Sequence, residues 1–178
     1  MNKYIQQKQE LAKLDVKGNV LGKIDKWEAH RKGILHKGFS ITLIYKNKYI
    51  LQHRKHPVFD GYFDLTSSSH PIYKNGKLQT IIDAVYDCLK REWDLGQKDL
   101  AGEIKEIGEI YYKAKDPNSS YAEHEKCVML IAKVKKLPTP NFDYAYGFSL
   151  VSKEELRNTR IFKDLCPWSQ EAIKENVI

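Results

Sequence analysis

One run of alternating side chains restricts the folds that this chain can adopt. It reads Glu123-His124-Glu125-Lys126-Cys127-Val128-Met129-Leu130, and it predicts a single strand with a polar beginning and an apolar, buried continuation. Strand side chains alternate between faces, so Glu123 and Glu125 point the same way, just before residues that should enter a core. Two carboxylates on one face repel each other. The run therefore predicts either a solvated strand end or a site where a cation lies between the glutamates.

Three histidines favour the cation site. His30, His36 and His70 lie well before the glutamates in the sequence, and imidazole nitrogens with carboxylate oxygens form a mixed ligand set that suits magnesium, manganese or zinc. We predict that these histidines bind one divalent metal together with Glu123 and Glu125. The alternative is that the histidines are ordinary surface residues and that the glutamates face solvent.

Length and composition indicate one domain. With 178 residues, 42% of them hydrophobic, the chain suits a single compact domain over residues 1–178, in which we assign 1–13 to an N-terminal extension. The apolar runs are far too short to span a bilayer, and residues 1–10 lack the apolar centre of a secretory signal. We therefore expect a cytoplasmic protein without membrane contact, either a monomer or a homodimer.

The charge balance favours a small anionic substrate over a nucleic acid. A formal net charge of +7 would suit either, because lysine and arginine bind polyphosphates. The lysines are scattered along the chain, however, and no nucleic-acid-binding motif accompanies them. A small phosphorylated substrate accounts for the same balance, and we expect no nucleic-acid partner.

The hydrophobic pattern predicts one continuous α/β domain. It begins with a strand or turn near 14–24 and a short helix that Asp25 caps and Gly33 ends. A β-hairpin then joins 39–44 to 49–54. Beyond it we predict, in order, a short strand at 62–66, a polar loop at 67–71, a helix of about five turns from Leu78 to Trp93, strands near 107–115, 127–134 and 148–151, and helices near Glu154 and from Pro167.

Glu92 does not fit a purely structural role in the long helix. At 100° per residue its carboxylate falls between Ile81 and Leu89 on the apolar stripe. It also lies in the last turn, where the helix dipole disfavours a negative charge. The placement requires a compensating cation, which is either a metal ion or a neighbouring lysine or arginine at the edge of the stripe.

These residues together resemble type 1 isopentenyl-diphosphate isomerase and the isomerase-like hydrolases of the Nudix superfamily. The resemblance extends over about residues 14–176. The matching segments, which occur in the family's order, are Asp25-Lys26-Trp27-Glu28-Ala29-His30, His36 before Gly38-Phe39-Ser40, Ser69-His70-Pro71, the helix that ends at Glu92, Glu123-His124-Glu125, and Pro167-Trp168.

The resemblance implies a Nudix α/β/α sandwich with a mixed sheet. It implies that the five predicted ligands bind the first metal, and that Glu92 helps to hold a second ion, Mg²⁺, on a diphosphate. Lys26 and Arg54 match residues that contact the diphosphate, and a guanidinium is well shaped for paired phosphate contacts. By the same resemblance Tyr112 is an active-site tyrosine, and Trp168 faces a carbocation.

One departure concerns the group that moves the proton. The family has a cysteine two residues before the loop histidine, whereas this chain has Ser68, and a hydroxyl is a much weaker acid than a thiol. Each 1.36 kcal/mol added to a barrier costs about tenfold in rate. We expect Glu125 to transfer a proton on one face of the alkene, with Ser68 and Tyr112 on the other. The family also usually has a lysine a few residues after the arginine that Arg54 matches. This chain has no clear counterpart of that lysine near residues 56–58, unless Lys55 takes its place.

Three functions remain open on the sequence alone. The first is isomerisation of isopentenyl or dimethylallyl diphosphate. The second is hydrolysis of a diphosphate by metal-activated water, although Glu92 alone survives among the acids of the Nudix hydrolase signature. The third is a catalytically silent diphosphate-binding protein. The predicted cofactor is Mg²⁺, with Mn²⁺ or Zn²⁺ as alternatives at the His/Glu site.

Overall fold

The computed structural model describes residues 3–178, which fold around one mixed sheet. These residues contain a short 3₁₀ helix at Gln97–Asp99 and six α-helices, which are α1 Lys3–Gln6, α2 Lys26–Lys32, α3 Ile81–Trp93, α4 Lys153–Leu156, α5 Thr159–Lys163 and α6 Pro167–Lys174. The eleven strands are β1 Glu10–Leu14, β2 Val20–Asp25, β3 His36–Tyr45, β4 Lys48–Arg54, β5 Phe63–Asp64, β6 Ser67–Ser69, β7 Tyr73–Lys74, β8 Lys77–Leu78, β9 Lys105–Lys115, β10 Ala122–Lys133 and β11 Ala145–Val151.

Strand β3 is the centre of the sheet. It pairs in parallel with β10 and antiparallel with β1, β4 and β6, while β2, β5, β9 and β11 extend the sheet to nine described strands. The predicted hairpin of β3 and β4 is therefore confirmed, and it includes the central strand of the sheet. Glu10–Leu14 also pairs within the sheet, so part of the segment assigned to an N-terminal extension is a strand. Met1 and Asn2 of that segment lie outside the described residues.

Two apolar cores cover the two faces of the sheet. Alternate residues of β10 enter different cores, with Cys127 and Met129 on the α6 side and Val128 and Leu130 on the α3 side. Strands buried on both faces are typical of sheets that lie between helical layers. The predicted α/β/α sandwich is confirmed, and its layering places Glu123 and Glu125 on the same face as Cys127.

Three local predictions need correction. Helix α3 begins at Ile81, after a Thr80 cap that accepts from the Asp83 backbone N–H, so it has 13 residues instead of five turns. The predicted loop at 67–71 contains strand β6, which pairs with Phe39–Ile41 of β3. The predicted strand at 62–66 contains only the two residues of β5. No helix within residues 3–178 is long and apolar enough to cross a membrane.

Candidate metal centre and anion site

Helix α2 places His30 beside the central strands. Asp25 accepts a hydrogen bond from the Glu28 backbone N–H at the N-cap, and Gly33 ends the helix with φ 57°, as the sequence predicted. These caps fix the length of the helix. His30 consequently lies in the last turn of the helix and is completely buried.

The register of β3 and β10 sets the rest of the cluster. His36 stands beside Glu125 in the parallel pair, and neighbours in register share a face of the sheet. Gly38 lies two residues on, next to Cys127, and has no side chain to fill the space that the Glu125 carboxylate occupies. His70 reaches the same place from the end of β6.

The three imidazoles meet the two carboxylates at short range. His30 Nε2 lies 3.1 Å from Glu123 Oε1, and His36 Nε2 lies 3.7 Å from Glu123 Oε2 and 3.5 Å from Glu125 Oε1. His70 Nε2 lies 2.8 Å from Glu125 Oε1. One ligand atom from each histidine and from Glu123 falls within 4.8 Å of all the others, so one ion could contact all four residues.

The hydrogen bonds around this cluster fit a bound cation. His30 Nδ1 lies 2.6 Å from the Lys26 carbonyl oxygen and His36 Nδ1 lies 2.7 Å from that of Ile34, so a neutral imidazole donates there and keeps its lone pair on Nε2. Among the described residues, the Nε2 atoms of all three histidines and Glu123 Oε2 are buried without a hydrogen-bond partner. Unpartnered buried polar atoms are costly. The donor set fits Mg²⁺, Mn²⁺ or Zn²⁺.

The electrostatics of the glutamates depend on the histidines. Burial would raise the pKa of each carboxyl, but His30 beside Glu123, and His36 and His70 beside Glu125, outweigh it and lower both values. Burial, together with the other two imidazoles, lowers the pKa of His70 to about 4 despite its contact with Glu125. The carboxylates are therefore ionised and His70 is neutral at neutral pH, as metal binding requires.

Glu125 has a second partner on the cavity wall. The buried Tyr112 hydroxyl donates to Glu125 Oε2 at 2.5 Å, and burial together with Glu125 raises the tyrosine pKa well above its usual value. Tyr112 thus lies on the Glu125 side. The expectation that it joins Ser68 on the opposite face is wrong, because the strand pairing of β9 and β10 sets Tyr112 directly beside Glu125.

A cationic cavity adjoins the cluster. Its wall includes Lys26 and Arg54, the two residues predicted to contact a diphosphate, together with Arg91, which the sequence analysis missed. Each cation lies against an aromatic ring: Lys26 Nζ is 5.2 Å from the Trp27 centroid, Arg54 Cζ is 5.0 Å from Trp168, and Arg91 Cζ is 3.9 Å from Tyr4. Lys55, which the sequence left as a possible phosphate contact, instead donates to the Phe142 carbonyl at the surface.

Glu92 is paired by the protein itself. Arg91 Nη2 donates to its Oε1 at 2.7 Å, and the Ser67 hydroxyl and the Gln52 amide donate to its Oε2 at 2.9 and 3.3 Å. Burial would raise the pKa of Glu92, but Arg91 outweighs it and lowers the value. The compensating cation is thus Arg91, and Glu92 lacks the unpartnered oxygen that marks the histidine cluster. The residues present do not fit a second metal at Glu92.

The remaining predicted residues, Ser68 and Trp168, also line the cavity. Ser68 is partly buried, and its hydroxyl donates to Asp64 Oδ2 at 2.5 Å. Trp168 is 2% exposed, donates through Nε1 to Asp64 Oδ1 at 2.7 Å, and lies close to Arg54. Sequence reasoning missed Asp64, because only the tertiary fold shows that both residues meet it.

Comparison with known proteins agrees with this architecture. The chain is 27% identical over 173 residues to isopentenyl-diphosphate delta-isomerase 2 of Homo sapiens, a match that covers 87% of this chain and 76% of the human protein. No model of a known protein family matches the chain.

Solved structures show the same fold. A protein from Deinococcus radiodurans superposes with a TM-score of 0.66 at 12% identity over 94% of this chain and 96% of its own. A MutT Nudix hydrolase from Burkholderia pseudomallei superposes with a TM-score of 0.55 at 15% identity, and the match covers 79% of this chain and 96% of the hydrolase. A bifunctional NMN adenylyltransferase/ADP ribose pyrophosphatase from Francisella tularensis superposes with a TM-score of 0.51 at 15% identity, and the match covers 78% of this chain and 39% of the bifunctional protein. The fold is that of the Nudix superfamily, and the predicted resemblance to its isomerase-like members is confirmed.

Proposed function

We propose that this chain is a divalent-metal-dependent enzyme that moves a proton on a small isoprenoid diphosphate. The observation that carries the proposal is the buried cluster of three imidazole Nε2 atoms and Glu123 Oε2, none of which has a hydrogen-bond partner among the described residues. His30, His36, His70, Glu123 and Glu125 would hold the ion. When bound, it would supply a fixed positive charge that neutralises the carboxylates and stabilises charge at the substrate.

The cationic wall supports a diphosphate as the substrate group. Lys26, Arg54 and Arg91 supply three positive charges within one cavity. Burial, aided by the nearby Arg91 charge, lowers the pKa of Lys26 to about 8, so this lysine is still charged at neutral pH. The human relative is named for isopentenyl diphosphate and the Francisella relative for the pyrophosphatase reaction on ADP-ribose.

The opposed proton-transfer step rests on Glu125 and Ser68. The Glu125–Tyr112 pair holds a proton between two oxygens, and it would exchange that proton with the alkene on one side. Ser68 would exchange the other proton, although its hydroxyl is less acidic than the family's thiol. Trp168 would help to exclude water from the cavity that it lines.

Hydrolysis of a diphosphate is the second candidate. The superposed Burkholderia protein is a Nudix hydrolase, and Glu123 and Glu125 could orient water at a metal. Against it, Leu95 and Gly96 stand where the hydrolase signature has two further glutamates, and Glu92 is paired with Arg91. A silent diphosphate-binding protein is the third possibility.

Nuclear magnetic resonance distinguishes these functions in one experiment. Isopentenyl diphosphate and Mg²⁺ are incubated with the protein in D₂O, while proton spectra follow the alkene and phosphorus spectra follow the diphosphate. We expect dimethylallyl signals or deuterium at the allylic carbons. Release of phosphate would replace the proposal with hydrolysis, and unchanged spectra would contradict catalysis on this substrate.

Two glutamine variants sharpen the result. Glu125→Gln removes the charge but keeps the volume, and it should lower turnover at least about 100-fold. The matched control is Glu109→Gln on β9, where an exposed glutamate pairs with Lys126 at 3.4 Å. Exposed ion pairs contribute little, so this control should retain the wild-type rate.

A further inference from the structure

Asp64 connects three residues that line the cavity. Its Oδ2 accepts from Arg54 Nη1 at 3.0 Å and from the Ser68 hydroxyl at 2.5 Å. Its Oδ1 accepts from Trp168 Nε1 at 2.7 Å and from the Ser169 hydroxyl at 3.3 Å. The carboxylate is completely buried, and Arg54, Ser68 and Trp168 stand between it and the cavity. One buried group thus contacts a phosphate-binding candidate, a proton-transfer candidate and the indole.

A rigid turn holds Ser68 against Asp64. Between strands β5 and β6 the chain reverses at Thr66, whose φ is 71°, and the Thr66 backbone N–H donates to the Asp64 carbonyl at 2.8 Å. The Thr66 hydroxyl donates to the Ile50 carbonyl at 2.6 Å and accepts from the Leu43 backbone N–H at 2.8 Å. These bonds anchor the turn to β3 and β4. The contact between Ser68 and Asp64 is therefore built into the fold.

A serine alone is a poor substitute for a thiol, but a serine beside a carboxylate can accept a proton without becoming charged. We propose that Asp64 is a positioning residue that orients Ser68 and takes up its hydroxyl proton, so that the Ser68–Asp64 pair replaces the family's cysteine in proton transfer. The inference rests on the proposed function, because it names the groups that act on one side of the same substrate.

The proton transfer balances without another reactant. The hydroxyl proton that Tyr112 shares with Glu125 is added to the terminal alkene carbon, which leaves one more negative charge on the pair and a positive charge on the adjacent carbon. A neighbouring C–H bond then breaks, and its electrons form the new double bond. That proton goes to Ser68 Oγ while the original Ser68 proton moves to Asp64 Oδ2, which leaves Ser68 neutral and Asp64 protonated. Proton exchange with water then removes the proton from Asp64 and replaces the proton that the Glu125–Tyr112 pair gave up.

Steady-state kinetics of Asp64→Asn, Ser68→Ala and the double variant test the pair. Asn keeps the size of Asp64 but cannot accept the proton, so we expect each single variant to lose about 100-fold in kcat with little change in KM. Because the two residues act as one unit, the double variant should be no slower than the slower single variant. Wild-type kcat in Asp64→Asn, or losses that multiply in the double variant, would overturn the inference.

Asp116→Asn is the matched control for loss of a buried carboxylate. Asp116 is 1% exposed and accepts from the Phe59 backbone N–H at 2.9 Å and the Ser119 hydroxyl at 2.6 Å, outside the catalytic cavity. It should lose stability without losing kcat. If Asp64→Asn fails to fold, Ser68→Thr provides the test instead. Because threonine keeps a hydroxyl, Ser68→Thr should recover at least about a tenth of the kcat that Ser68→Ala loses. Equal rates for Ser68→Ala and wild type would overturn the inference.

Alkylation provides a readout that does not depend on turnover. The native cysteines Cys88, Cys127 and Cys166 are buried, so iodoacetamide should react first with the thiol of Ser68→Cys. A neighbouring carboxylate disfavours the thiolate, so adding Asp64→Asn should accelerate alkylation several-fold. If the wild type neither isomerises the alkene nor releases phosphate, the proposed function fails. Equal alkylation rates would then overturn the Asp64 inference separately.

Discussion

Individual side chains in this cavity serve as ligands, anion contacts or proton carriers according to their partners. His30 and His36 have a carbonyl at Nδ1 and a carboxylate near Nε2, which leaves Nε2 suited to a metal. Glu92 has donors at both oxygens. The partners of the two carboxylates thus make the difference: those of Glu123 favour a metal ion, whereas Glu92 is already paired with an arginine.

Lys26 makes diphosphate binding sensitive to pH. Burial lowers its pKa to about 8, so a rise in pH from 7 to 9.5 removes its proton and one positive charge from the cavity. We expect pyrophosphate affinity, measured calorimetrically at constant metal concentration, to fall up to about tenfold over this range, which corresponds to about 1.4 kcal/mol.

Lys26→Arg provides the control, because a guanidinium stays charged over this range. Its affinity curve should be flatter than that of the wild type. Identical pH slopes in the two proteins would show that Lys26 does not contact the anion.

At the scale of single elements, the parallel pairing of β3 and β10 decides whether the site forms. His36 and Glu125 stand side by side, and Gly38 provides the space beside them. Helix α2 contributes His30 because both its caps are specified locally by Asp25 and Gly33. The cluster therefore depends on strand register as well as on ligand identity.

Gly38→Ala should disturb the site more than the fold. A Cβ at this position would overlap the Glu125 carboxylate, which His36, His70 and Tyr112 otherwise hold in place. We expect at least about a tenfold loss of metal affinity, of the size seen when partners of metal ligands are removed. Calorimetry with Mn²⁺ measures the affinity, and thermal unfolding measures the accompanying change in stability.

Gly147→Ala on β11 is the control for adding a methyl group to a strand. Within the described part of the chain, no heavy atom other than those of Gly147 and its two chain neighbours lies within 4 Å of the added Cβ. This variant should bind metal as the wild type does. Unchanged metal affinity in Gly38→Ala would contradict the role assigned to the glycine.

Elements with local signals were predictable, and those set by tertiary contacts were not. The two caps of α2 and the turn of the β3–β4 hairpin are visible in the sequence. The serines of β6 are poor strand formers, and only their pairing with Phe39–Ile41 makes them a strand. Asp64 meets Trp168, and Arg91 meets the ring of Tyr4, only in the folded chain, so the sequence pattern did not place either residue at the cavity.

Across the whole molecule, two cores support one polar site. The α3 and α6 layers bury the two faces of the sheet, and the His/Glu cluster lies where β3, β10, α2 and the end of β6 meet. Positive charge is scattered over the surface, yet Lys26, Arg54 and Arg91 converge on the cavity beside this cluster. The net charge alone could not have located that site.

Manganese binding to chelator-treated protein, followed by titration calorimetry, tests the metal centre most directly. We predict one site per chain in the wild type and in Glu109→Gln, and at least about tenfold weaker binding in Glu123→Gln, which keeps the volume of a ligand but removes its charge. Absence of binding in the wild type, or equal affinity in Glu123→Gln, would contradict the assignment of the cluster as a metal centre.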